Sequence, residues 1–322
     1  MTSINSKLIG FGHYVPDNSV TNDDLAKIVD TNDEWISTRT GIKARNITKT
    51  ETTSDLATCA AMMALKNANI TAQDIDLLIL ATITPDLTTP AAALIVGNKI
   101  GIRSGIPAFD ISAACSGFVY ALTLADNMIR LGQAKNALVI GAETLSKVTD
   151  WSDRGTCVLF GDGAGAVVLQ ATDSEKEKGV LATKIFADAS HTDNLKTSGG
   201  VSTTQNAGFI LMDGKEVFKY AVNALTNGAE EALKLAGLCA DDINWLIPHQ
   251  ANIRIIDGTA QKMGIDKSKV IVNITNNGNT SAASIPLALS QNIANGTIKK
   301  GDVVALTAMG AGFTWGGAII RV

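Results

Sequence analysis

The chain has 322 residues, of which 46% are apolar, 18% charged and 5% aromatic, with a formal net charge of −4. Soluble domains average about 25% charged residues, so this composition excludes disorder and demands a thick core or a buried oligomer interface. No block of lysine and arginine marks a nucleic-acid surface, and no run reaches the roughly 18 apolar residues of a membrane span.

Residues 1–16 lack the basic stretch, apolar run and small-residue cleavage site of a leader, so a cytoplasmic protein is expected. Further on, Thr31-x-x-Glu34 matches a capping box, which starts a helix at Thr31 and sets Trp35 and Arg39 one turn apart on one face. Two roles are open for that pair: phosphate binding by Arg39 beside a ring stacked on Trp35, or an ordinary amphipathic edge.

The segment Ala64-Leu65-Lys66-x-Ala68-x-Ile70-x-Ala72-x-Asp74-Ile75-x-x-Leu78-Ile79 recurs as Ala232-Leu233-Lys234-x-Ala236-x-Leu238-x-Ala240-x-Asp242-Ile243-x-x-Leu246-Ile247. Each copy predicts a helix running into a buried strand, Leu77 to Ala81 and Trp245 to Ile247. Later runs keep the order, since Ala137 to Gly141 parallels Val303 to Leu306 and Gly165 to Leu169 parallels Gly317 to Arg321. The expected class is α/β, a duplicated unit whose near-continuous apolar strands are covered on both faces. The polar stretch Thr172 to Gly179 divides it into halves 1–175 and 176–322.

In Pro107 to Leu122 an extended apolar run becomes a helical period, and Cys115 falls on the turn between them. A thiol at a helix N-terminus feels the positive end of the dipole, which favours thiolate and can hold an oxyanion. The competing role is a small buried hydrophobe. Burial is expected for Cys59 and Cys239, in or beside the repeated helices, and for Cys157, in a strand over 157–160. Four scattered cysteines without a C-x-x-C pair argue against disulfides and zinc.

The stretch His191 to Asn206, rich in Ser, Thr, Asn and Gly, reads as a surface loop. His249 ends the second copy's strand where the first copy has Ala81. Polar residues at the carboxyl end of strands are where open α/β sheets bind ligands, and a hydrogen-bonded structural histidine is the competing role. Asn276 to Pro286 is a Gly/Asn turn followed by a helix of small residues, and turn formation alone explains Asn276 and Asn277. The glycine clusters 161–165 and 310–317 lead into apolar strands, which suits close backbone approach better than a nucleotide loop.

These residues fall in motifs of one known family. Asp30 to Ile42 with Trp35 and Arg39, Asp110 to Phe118 around Cys115, Asp153-Arg154-Gly-Thr, Phe160 to Gly165, Pro248 to Ile256, Gly278 to Ser284 and Gly312 to Gly316 together resemble β-ketoacyl-acyl-carrier-protein synthase III over essentially the whole chain. The resemblance implies the thiolase fold, two similar halves in a five-layered αβαβα sandwich, as a homodimer. It implies a synthase that joins an acyl-CoA primer to malonyl-acyl carrier protein with loss of carbon dioxide, using no cofactor or metal beyond those substrates.

By the same resemblance Cys115, His249 and Asn279 are the catalytic residues, with backbone N–H groups of Cys115 and Ala311 as the oxyanion hole. Trp35, Arg39, Arg154 and Asn252 would hold CoA, and acyl carrier protein would dock on Gln250, Ala251, Asn252, Ile253, Arg254 and Lys219, with Lys262 a further candidate. Two departures stand out: Thr89 where many members have Phe at the floor of the acyl pocket, and Met309-Gly310-Ala311-Gly312 where many have Phe-Gly-Gly-Gly. Loss of the aromatic at 89 predicts primers longer or more branched than acetyl, and Ala311 can serve only if its φ does not require glycine. Two other readings stay open, a thiolase-fold condensing enzyme of quinolone or polyketide synthesis and a cysteine hydrolase using Cys, His and Asn.

Overall fold

The computed structural model describes residues 4–322, so Met1–Ser3, where the leader reading begins, lie outside the described residues. In chain order the strands are β1 (Asn5–Tyr14), β2 (Ser19–Thr21), β3 (Ala44–Asn46), β4 (Leu77–Ala81), β5 (Ala108–Ile111), β6 (Asn136–Thr144), β7 (Asp162–Thr172), β8 (Val180–Ala187), β9 (Leu195–Thr197), β10 (Ile210–Met212), β11 (Trp245–Pro248), β12 (Val303–Gly310) and β13 (Thr314–Arg321). The helices are α1 (Asn22–Leu25), α2 (Asp33–Thr40), α3 (Thr53–Ala68), α4 (Ala92–Ile100), α5 (Gly117–Arg130), α6 (Gly214–Ala236), α7 (Ile253–Lys262), α8 (Ile274–Asn277) and α9 (Ser284–Ala294).

β4, Leu-Leu-Ile-Leu-Ala, is buried at every position because it lies between two parallel neighbours with helices over both faces. It belongs to a sheet ordered β1-β7-β6-β4-β5, and the second sheet runs β11-β12-β13-β8. The sheets superpose in logic: β4 pairs parallel to β6 as β11 does to β12, and each of those is followed by an antiparallel partner, β7 or β13. Where β5 flanks β4, the second half has, among the described residues, the single bridge Leu246–Val270. The chain passes between sheets in the seven residues from β7 to β8, an exposed turn over Glu175–Glu177.

Three apolar layers hold the sandwich. The middle one joins both sheets through α5 and α9, with Phe118, Leu122 and Ile129 meeting Ile285, Leu289 and Leu306. α3 and α4 cover the outer face of the first sheet through Ala57, Ala60, Ala64 and Val96, while α6 and α7 cover that of the second through Ala229, Ala232 and Ala260. The layers are α, β, α, β, α, the five-layered thiolase arrangement. Small residues let them approach: a Cβ at Gly165 would lie 2.4 Å from the Leu287 nitrogen, and one at Gly317 would lie 2.2 Å from the Gly228 carbonyl oxygen.

Four local expectations change. The cap of α2 is Asn32, whose side chain accepts from the Trp35 N–H at 2.8 Å, rather than Thr31. Cys157 is buried, but in a turn and not a strand. Cys59 and Cys239 are exposed, Cys59 because the buried stripe of α3 runs through Ala57, Ala60, Ala61 and Ala64, and Cys239 because it opens a turn closed by Asp242. Within His191–Asn206, β9 pairs with β10 to form a hairpin that brings Leu195 over the site.

Candidate active site

Each half carries the same device at the carboxyl edge of its sheet. After β5 the backbone turns through Ala114, at φ +46°, into a short 3-10 turn and then α5. In the second half Ser281, at φ +48°, opens the corresponding turn before α9. The first device presents Cys115, and the second is preceded by Asn279, so the two central helices aim both residues at one place.

Cys115, His249 and Asn279 line one cavity. His249 follows β11, donates its backbone N–H to Thr307 O at 2.7 Å, and sets Nδ1 2.7 Å from Ser284 Oγ. Its Nε2 is buried without a partner among the described residues. Burial drives its pKa down to about 3, so the ring is neutral. Asn279 is locked by backbone bonds to Leu159 and Gly161, and its Oδ1 accepts from the Ser281 N–H at 2.9 Å, which leaves the Nδ2 amide as its donor.

The expectation of a dipole-stabilised thiolate meets a larger opposing effect. Although Cys115 keeps partial exposure to the cavity, the closely packed walls around its sulfur push the thiol up to about 12, with Glu143 adding repulsion and Ser281 opposing the rise. Ala311 is not among the described non-glycine residues with positive φ, so alanine fits there without strain, and it lines a second cavity that also reaches Cys115.

Both guanidiniums, Arg39 and Arg154, lie over the Trp35 ring, each 4.7 Å from its centroid. Trp35, Arg39, Ala251 and Asn252 line the mouth of the first cavity, while Arg154 is drawn outward by the Asp30 carbonyl at 3.0 Å. Arg254 and Lys219 are exposed near that mouth, and Ile253 packs against Gly41.

Gln250 is a correction. It is fully buried, donating to Pro248 O and Ile271 O and accepting from the Asn273 and Ile274 N–H groups, so it braces the His249 loop and offers no docking surface. Within a single subunit Thr89 is exposed and lines neither cavity that reaches Cys115. The apolar wall that the subunit itself sets beside Cys115 comes from Ile83, Leu145, Phe160, Leu195 and Ile210. Met309 is buried and lines the first cavity.

Ser284, Ser281 and Glu143 escaped the sequence reading. A lone glutamate closing the apolar run Ala137 to Ala142 was the one signal available for Glu143. Among the described residues no group of His, Cys, Asp and Glu is placed to hold a metal ion, and no helix is long and apolar enough to cross a membrane.

A duplicated α/β sandwich whose two halves bring a cysteine, a histidine and an asparagine to one cavity has the arrangement of a condensing acyltransferase of the thiolase fold. The family described as 3-oxoacyl-[acyl-carrier-protein (ACP)] synthase III matches residues 109–189, and its C-terminal part matches residues 233–322. Relatives called β-ketoacyl-[acyl-carrier-protein] synthase III are 54% identical in Rhodospirillum centenum and 52% in Agrobacterium fabrum, covering 99% of this chain and of each relative. The solved 3-oxoacyl-[acyl-carrier-protein] synthase III of Aquifex aeolicus is 50% identical with a TM-score of 0.93, covering 98% of this chain and 100% of its own. A priming β-ketosynthase of the R1128 polyketide pathway shares the fold at 33% identity and a TM-score of 0.93, covering 99% of this chain and 97% of its own. The chain belongs to the β-ketoacyl-acyl-carrier-protein synthase III family, and the hydrolase and polyketide readings give way to it.

Proposed function

We propose that Cys115, His249 and Asn279 carry out the family's decarboxylative condensation of an acyl-CoA primer with malonyl-acyl carrier protein. The supporting observation is that all three residues, from two halves of the chain, reach one cavity. Cys115 attacks the acyl thioester, and the backbone N–H groups of Cys115 and Ala311 hold the oxyanion until CoA leaves. Malonyl-acyl carrier protein then enters, and His249 Nε2–H and the Asn279 amide donate to its thioester carbonyl as carbon dioxide departs. For this step Nδ1 must accept from the Ser284 hydroxyl, which places the proton on Nε2. The enolate attacks acyl-Cys115, giving 3-oxoacyl-acyl carrier protein. Thioester activation and loss of carbon dioxide supply the driving force, so no cofactor is required.

The remaining assignments follow the same reading. Trp35, Arg39, Arg154 and Asn252 receive CoA, Arg254 and Lys219 receive the acidic carrier protein, and the apolar wall from Ile83 to Ile210 takes acetyl or somewhat longer primers. Halves 1–175 and 176–322 supply the nucleophile and the two donors, in a cytoplasmic homodimer. Mass spectrometry after incubation with acetyl-CoA tests the core of this: one acetyl group on the Cys115 peptide supports it, and acetyl elsewhere or nowhere contradicts it.

A further inference from the structure

Two hydroxyl groups tie the turn that carries Cys115 to the loop that carries Ala311, and the condensation as described assigns them no part. The Cys115 turn is closed twice on one carbonyl. Ser116 donates its backbone N–H to Ala113 O at 3.2 Å, and its hydroxyl stands 2.8 Å from the same oxygen. At the first corner of that turn Ala114 holds φ +46°, a left-handed value that alanine rarely adopts, so the surrounding bonds must keep the conformation in place.

Thr314 comes from the other half, as the first residue of β13. Its Oγ1 lies 2.7 Å from Ser116 Oγ, 3.1 Å from Ala113 O and 3.0 Å from Ala311 O. Each hydroxyl has one proton to give. A chain in which Ser116 donates to Thr314 Oγ1, and Thr314 donates to Ala311 O, uses each proton once and crosses from one half to the other. Ala311 is thereby fixed on both sides, by the pairing of Gly310 with Thr314 and by the Thr314 hydroxyl on its own carbonyl.

The two segments also touch directly, since a Cβ at Gly310 would lie 2.7 Å from the Cys115 nitrogen and 3.0 Å from Ala113 O. Ser116 is fully buried, and Thr314 lines the second cavity beside Cys115, Ala311 and Gly312. Two N–H donors from segments far apart in the chain hold one oxyanion well only if their spacing is set before the charge forms. Among the described residues, the side-chain hydrogen bonds that join these two segments all run through Thr314.

We propose that Thr314, with Ser116 behind it, is the positioning residue that sets the Cys115 and Ala311 N–H groups at the spacing of the acyl oxyanion. Neither hydroxyl touches substrate, and no bond of the reaction is made or broken at them. Their effect is confined to the step in which the acyl carbonyl takes up charge, because the malonyl carbonyl is held by His249 and Asn279.

This role rests on Cys115 as nucleophile and Ala311 as donor, so the test is single-turnover acetylation of Cys115 over a range of acetyl-CoA concentrations, with malonyl-acyl carrier protein decarboxylation measured in parallel. Thr314→Val keeps the shape of the side chain and removes its hydroxyl. It should slow acetylation at saturating acetyl-CoA by about tenfold to a hundredfold, the scale of a misplaced rather than a missing donor, and leave the half-saturating concentration unchanged. Thr314→Ser keeps the hydroxyl and should restore most of the rate, while decarboxylation stays near wild type in both variants. Ser116→Ala should slow acetylation in the same selective way, and it carries the comparison if Thr314→Val does not fold. Undiminished acetylation in Thr314→Val, a loss carried by the half-saturating concentration, failure of serine to restore the rate, or equal loss of both activities overturns the positioning role. A wild-type enzyme that takes no acetyl on Cys115 overturns the synthase reading itself.

Discussion

His249 Nδ1 lies 2.7 Å from the hydroxyl of Ser284, the first residue of α9. In the other half the strand-end residue is Ala81 and the first residue of α5 is Gly117, where a Cβ would stand 3.0 Å from that of Ala81. The same contact between strand end and central helix is thus apolar and close in one copy and polar in the other. Duplication provided the contact, and different residues at its two ends made it polar in one copy alone.

Ser284→Ala should therefore impair the second half-reaction selectively. It removes the partner of a buried imidazole nitrogen, which costs about 1–3 kcal/mol and frees the tautomer. Malonyl-acyl carrier protein decarboxylation should fall by at least tenfold, with acetylation of Cys115 nearly intact.

His249→Ala and Asn279→Ala should each lower decarboxylation by about 10²–10³, the scale of a lost oxyanion donor. Equal loss of acetylation and decarboxylation, followed in separate assays, would show that their roles are misassigned.

The low pKa of His249 fixes a direction for acid stability. With a folded value of about 3 against the ordinary histidine value of 6.5, the unfolded chain binds the extra proton between those values, so stability is lost as pH falls through that window. His249→Gln lacks this loss, and its urea midpoint relative to wild type should rise steadily from pH 7 to pH 5.

How far the molecule could be read from its sequence follows from the range of the contacts involved. The duplication was legible because apolar strands and helical stripes are local patterns, and Cys115 and His249 because polar residues end apolar runs at one sheet edge. Gln250 was assigned by position in a family, and burial reverses that assignment: it is sealed by four hydrogen bonds. Ser284 had no local signal, since a serine in a small-residue helix start gains its meaning from a partner 35 residues away.

Primer length should depend on the wall behind Cys115. Ile210→Phe adds volume there, and overpacking by about 1–3 kcal/mol should cut turnover of four-carbon and longer primers about tenfold relative to acetyl. Competition between acetyl-CoA and longer acyl-CoA measures it, and an unchanged ratio places the acyl chain elsewhere.

Charge reversal at the rim should separate carrier from chemistry. Arg254→Glu with Lys219→Glu should raise KM for malonyl-acyl carrier protein, more so at low salt, and leave acetylation from acetyl-CoA unchanged.

The central claim is that one half of the chain supplies the nucleophile and the other the machinery for decarboxylation. It is tested most directly by loading enzyme with radiolabelled acetyl-CoA, isolating the acetylated protein, and adding malonyl-acyl carrier protein. Label should sit on Cys115 and move into 3-oxoacyl-acyl carrier protein in wild type, but stay on Cys115 in His249→Ala and Asn279→Ala. Label that leaves as free acetate, or that moves equally well in both variants, would contradict it.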